Sequence, residues 1–189
     1  YPIASVEGAE ELPFSLKVLL ENVLRHADSD EAASAMASRI VSAAREGRAG
    51  DDVEFSPARL LFQDFTGVPV FVDFAVMREA CAALGGDPKR INPQVPCDLV
   101  VDHSIIADVS GCPASLEKNE QLEYERNRER YEFLKWAQAS FDNVRIVPPG
   151  QGICHQLNIE QFARVVMTAP AADAGTEGGG ACEVAFFDT

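Results

Sequence analysis

Two histidines sit where an apolar, strand-like run ends: His103 in LVVDHSI and His155 in VPPGQGICHQLN. The chain has only 3 histidines, so two in the same kind of setting call for a chemical explanation. Histidine exchanges protons near neutral pH, and a neighbouring carboxylate strengthens its hold on the proton and selects its tautomer. Asp102-His103 is therefore a candidate acid–base pair. Consecutive strand residues point to opposite faces, so the two side chains cooperate only if the chain turns here. The alternative is a histidine that satisfies a loop carbonyl. His155 follows a Pro-Pro-Gly-Gln-Gly segment that sets backbone amides and a rigid turn beside a ligand, or it simply orders that turn. Gln63 ends the apolar run ARLLFQ as a ligand contact or a sheet-edge hydrogen bonder. Cys154 reads as a small buried side chain, because adjacency to His155 does not make its thiol a nucleophile.

The elements that must carry these residues follow from periodicity and punctuation. LPFSLKVLLENVLRH is a helix with Pro13 near its first turn and leucines and valines at three- and four-residue spacing. A second, alanine-rich helix follows Asp28-Ser29-Asp30, with a stop at Gly47. ARLLFQ is a strand leading into a turn at Gly67, and VFVDFAVMREACAALGG is a helix. CDLVVDHSI is the next strand. One long helix spans SLEKNEQLEYERNRERYEFLKWAQASF, with Glu123/Arg126, Glu125/Arg128 and Glu132/Lys135 as surface pairs. The arginines of ERNRER, offset by glutamates, form a solvated face. NVRIVPPG is a strand, LNIEQFARVVM a helix and ACEVAFFDT a final strand, with a flexible linker over about 168–180. Residues 1–56 form a helical segment packed on a sheet domain of residues 57–189. Strands alternate with helices from Arg59 onward, which predicts an α/β class with a largely parallel sheet. Ligands gather at the carboxyl ends of such strands, where Gln63, Asp102-His103 and the loop before His155 fall.

Charge and cysteine usage exclude some functions. Thirty acidic against 16 basic residues give a formal net charge of −14, which disfavours nucleic acid and anionic membranes as partners. No apolar run is long enough to span a bilayer, and no signal peptide is evident, so a cytoplasmic location is expected. The 5 cysteines include no CxxC pair, which predicts reduced thiols and no metal site within this chain. GQG lacks the lysine and the longer glycine pattern of a phosphate loop.

Consecutive stretches of the chain are similar to one family. LPFSLKVLLENVLRH, QDFTGVPVFVDFAVMREA, LGGDPKRINPQVPCDLVVDHS and LEYERNRERYEFLKWAQASFDNVRIVPPGQGICHQLN resemble the aconitases, in the branch of aconitate hydratase A and the iron-regulatory proteins. The related 2-methylcitrate dehydratases share VDHS and the PPG…HQ element but not QDFTGVP. The resemblance implies a three-layer α/β/α fold like the first aconitase domain. It implies interconversion of citrate and isocitrate through cis-aconitate. It also implies roles: Asp102 and His103 protonate the departing hydroxyl, His155 joins the active-site hydrogen-bond network, and Gln63 and Ser104 contact substrate. The family's [4Fe–4S] cluster, its three cysteine ligands, its serine base and its substrate-binding arginines are expected in remaining domains absent here. The chain alone is then an inactive N-terminal domain fragment. Independent RNA binding is the alternative that the iron-regulatory branch raises.

Overall fold

The computed structural model describes residues 2–49, 52–151, 163–170 and 183–189. It divides into two compact units, Tyr1–Ala58 with Ala163–Thr189, and Arg59–Phe162. The residues after Ala163 thus group with the N-terminal helices, where the sequence reading places them with the sheet.

In the first unit, α1 (Phe14–His26) starts directly after Pro13, whose φ of −61° already suits a helix entry. Its Leu20 and Val23 bury against Ala37, Ile40 and Val41 of α2 (Asp30–Glu46). Ser29 caps α2 by accepting a hydrogen bond from the Ala32 amide at 3.2 Å, and Gly47 closes it in the left-handed conformation. The C-terminal chain corrects one expectation. Val166 and Met167, read as a helix end, belong to β4 (Val166–Pro170), which pairs antiparallel with β5 (Glu183–Phe187). This ribbon has its own anchors on α1: the Arg25 guanidinium lies 4.5 Å from the Phe186 ring centre, and buried Asn22 donates to Thr189 Oγ1 at 3.3 Å.

The second unit is α/β. Strands β1 (Leu60–Gln63), β2 (Cys97–Val100) and β3 (Val144–Val147) form a parallel sheet in that order. The register aligns Gln63 with Val100 and Val100 with Val147, so the three carboxyl ends lie side by side. Cys97, Leu99 and Val101 alternate into a core with Phe71, Leu134, Ala137 and Phe141. Asp98, on the opposite face of β2, meets Arg59 at 2.9 Å and Arg145 at 2.6 Å.

Two helix boundaries differ from the sequence expectation, and both shape the site. No turn forms at Gly67: α3 (Asp64–Ala83) begins at once after β1 and continues through Pro69. As the sixth residue of the helix, Pro69 gives up the hydrogen bond that an N–H there would make to the Phe65 carbonyl. Gly67 is needed there for contact, since a Cβ would come 2.6 Å from Phe62 Cβ and 2.9 Å from a Leu99 methyl. The long helix is broken into α4 (Ser115–Arg126) and α5 (Arg128–Ser140). At the break, Asn127 turns its amide back to Glu123, donating to its backbone carbonyl at 3.3 Å and to its carboxylate at 2.9 Å. A side chain that bonds its own backbone in this way competes with helix continuation.

Candidate active site at the carboxyl end of the sheet

Gln63 is both the last residue of β1 and the cap of α3. Its Oε1 accepts from the Phe65 and Thr66 amides at 2.9 and 3.2 Å. With the oxygen thus oriented, its Nε2 donates to Asp64 Oδ1 at 3.1 Å and to Asp102 Oδ1 at 3.0 Å. The glutamine therefore ties the end of β1 to the chain leaving β2. Asp102, the expected partner of His103, is buried and held by this amide.

His103 meets two other carboxylates. Its Nδ1 lies 3.2 Å from Asp64 Oδ2, and its Nε2 lies 2.6 Å from Glu123 Oε1. Asp64 is fully buried and also receives Arg130 Nη1 at 2.9 Å. The Arg130 guanidinium stacks 4.8 Å from the Phe65 ring centre. Glu123 is buried as well, and it accepts from Tyr131 Oη at 2.6 Å and from Asn127 Nδ2 at 2.9 Å. The imidazole keeps 22 % of its surface exposed, so an outside group can still reach it.

The electrostatics follow from burial and these contacts. Burial works to raise the Glu123 carboxyl, but hydrogen bonds from His103 and Tyr131, with the charges of His103 and Arg126, outweigh it and leave it below the ordinary range. Burial, reinforced by the Glu123 carboxylate, pushes the Tyr131 phenol well above its ordinary value. The site thus holds an ionised glutamate against a phenol that keeps its proton.

Of the residues singled out from sequence, Gln63, Asp102 and His103 are brought together through Asp64. Ser104 is exposed beside them. His155 and Cys154 lie outside the described residues. Asp64, Glu123, Asn127, Arg130 and Tyr131 went unrecognised in the sequence. Glu123, expected to pair on the surface with Arg126, is buried instead, and Arg126 binds Asp108 at 2.7 Å. Arg130, expected in a solvated face, binds Asp64. The spacing of Glu123, Asn127 and Tyr131 at intervals of four was the available signal, since it places an acid, an amide and a phenol on one helical face. A groove of about 740 Å³ adjoins the network, with Tyr131, Tyr124, Leu134, Ile146 and Pro149 among its lining residues.

A metal centre has no support among the described residues. They contain no group of three or more His, Cys, Asp or Glu side chains placed to hold an ion. Of the described cysteines, Cys97 is buried, and burial together with the neighbouring Asp98 pushes its thiol up to about 11, unsuited to giving a thiolate ligand. These residues do not fit an iron–sulfur cluster. No described helix is long and apolar enough to cross a membrane.

The aconitase (aconitate hydratase) family model matches residues 35–186, which include every described member of this network. An aconitate hydratase A of Corynebacterium efficiens is 51% identical over 169 residues, covering 88% of this chain and 18% of the relative. One from Bradyrhizobium diazoefficiens is 46% identical over 184 residues, 97% of this chain and 20% of the relative. A phosphinomethylmalate isomerase of Streptomyces viridochromogenes is 49% identical over 163 residues, 86% of this chain and 18% of the relative. The chain thus spans about a fifth of the length of these relatives. Both the family match and the relatives cover most of it, and on that ground the chain belongs to the aconitase family.

Proposed function

We propose that this chain forms one wall of the active site of an aconitate hydratase, which interconverts citrate and isocitrate through cis-aconitate. The observation that supports this reading most strongly is the hydrogen-bonded joining of Gln63, Asp102 and His103 at the carboxyl ends of β1 and β2. Dehydration of a hydroxy acid breaks a C–O bond and a C–H bond. The hydroxyl leaves as water only after it gains a proton. His103 supplies that proton and takes it back from water in the return direction. Gln63 and Ser104 contact substrate, Asp102 positions the pair with Gln63, and His155 completes the network. The base that takes the carbon-bound proton, and the [4Fe–4S] cluster that polarises the hydroxyl when bound, belong to parts of the longer relatives beyond the stretch matched here. The proton chemistry assigned to His103 needs only this chain's side chains and substrate.

The similarity to a phosphinomethylmalate isomerase favours a second reading, in which the same wall serves a related hydroxy acid. The test joins this chain to the remainder found in its relatives and replaces His103 with Ala, after checks of folding and iron content. Loss of citrate turnover by about 10²–10⁴-fold is expected for removal of a general acid. Near-normal turnover would reduce the site to a scaffold. Turnover of phosphinomethylmalate but not citrate would favour the second reading.

A further inference from the structure

Glu123 gathers three side chains of the site on one oxygen. Its Oε1 faces His103 Nε2, Tyr131 Oη and Asn127 Nδ2 at 2.6, 2.6 and 2.9 Å. Across the imidazole, Nδ1 faces Asp64 Oδ2, an oxygen that also receives Arg130. An ionised carboxylate only accepts hydrogen bonds, so the ring satisfies both neighbours only with a proton on each nitrogen. The charge balance points the same way. Among the described residues, the charged or titratable groups around the ring are Asp64 from α3, Glu123 from α4, Arg130 and Tyr131 from α5, and Asp102 beside it in the chain. Arg126 acts on Glu123 from further along α4 but is bound to Asp108. Two buried carboxylates thus flank the ring, and among the described residues the guanidinium of Arg130 binds the Asp64 side. A buried carboxylate without a cation is costly, and a charged ring supplies the missing one.

We propose that Glu123, held by Asn127 and Tyr131, is a positioning residue that works opposite Asp64 to clamp His103 as a doubly protonated imidazolium. The consequence for catalysis rests on the reading of His103 as proton donor: the ring is held charged between Asp64 and Glu123, and one of these two hydrogen bonds must open before that N–H can pass its proton to a departing hydroxyl, leaving the ring neutral as water leaves. The clamp itself does not depend on that reading.

The test is a ¹⁵N-histidine NMR spectrum of this chain at about pH 7.5, roughly a unit above the range where an ordinary histidine loses its charge. His103→Gln assigns the signals. A directly bonded proton on both ring nitrogens of His103 is expected, as is loss of one of them in Glu123→Gln. A wild-type ring with one unprotonated nitrogen would overturn the clamp, whatever the variants do. So would a folded Glu123→Gln protein whose ring is unchanged. Tyr131→Phe keeps the glutamate and is expected to keep both protons, which separates the carboxylate's role from that of general packing; loss of a proton there would overturn the assignment to Glu123. Normal citrate turnover by His103→Ala in the longer protein would remove the functional reading and leave this ring spectrum as expected.

Discussion

Two buried acid clusters lie on the same three-stranded sheet, and their cations differ. On one face of β2, Asp98 sits between Arg59 and Arg145. At the carboxyl end, Asp64 and Glu123 flank His103, with Arg130 behind Asp64. The ingredients are similar: a carboxylate shielded from water, held by short charge-assisted hydrogen bonds. Arginine stays protonated at every working pH, so the Asp98 cluster can only hold strands together. Histidine can release its proton, so the second cluster can exchange one with a bound molecule. Burial of charge alone does not mark a site of chemistry. Burial of charge against a titratable partner that remains partly exposed leaves a proton within reach of a bound molecule.

The comparison can be broken at its strongest point first. Asp64→Ala leaves Arg130 and His103 without their shared carboxylate at a fully buried position. Urea unfolding is expected to show a loss of about 3–5 kcal/mol, the usual cost of breaking a buried ion pair from one side. A loss within experimental error would mean that the site cluster is no more structural than a surface pair. Asp98→Asn should cost less, about 1–3 kcal/mol by the same measurement, because its hydrogen bonds to charged groups are weakened and Arg145 is half exposed. It should leave the His103 ring spectrum untouched; a change there would join the two clusters into one electrostatic system. The smallest effect is in pH dependence. Because the Glu123 carboxyl lies below its ordinary value in the folded chain, the unfolded chain binds the proton more readily. Its contribution is therefore complete above the ordinary glutamate range and is lost as pH falls through the lowered folded value. Tm measured from neutral pH downward should fall less steeply in Glu123→Gln than in the wild type, and parallel curves would contradict the assignment.

Legibility followed range along the chain. The α1 stripe, the Gly47 stop of α2 and the apolar strands were visible because each depends on neighbours within a turn or a pleat. The collection of Gln63, Asp102 and His103 at strand ends followed from parallel topology. The continuation of α3 through Pro69 was hidden, because GVP resembles a turn locally and only the sheet shows that Gly67 is there for close approach to Phe62 and Leu99. The break at Asn127 was hidden for a related reason. A run of good helix formers gives no hint that one amide will bond back to Glu123.

Residue types and their order thus determined by themselves the α/β class of the second unit, the parallel strands and the family to which the chain belongs. They also marked His103 as a residue at a strand end with proton chemistry available to it. Only the tertiary structure decided which carboxylates hold that histidine. Asp64 is 39 residues away in sequence and Glu123 is 20 away, and they come from different helices. Hydrogen bonds of 2.6–3.2 Å between such residues depend on how α3, α4 and α5 dock on the sheet, and no local pattern carries that information.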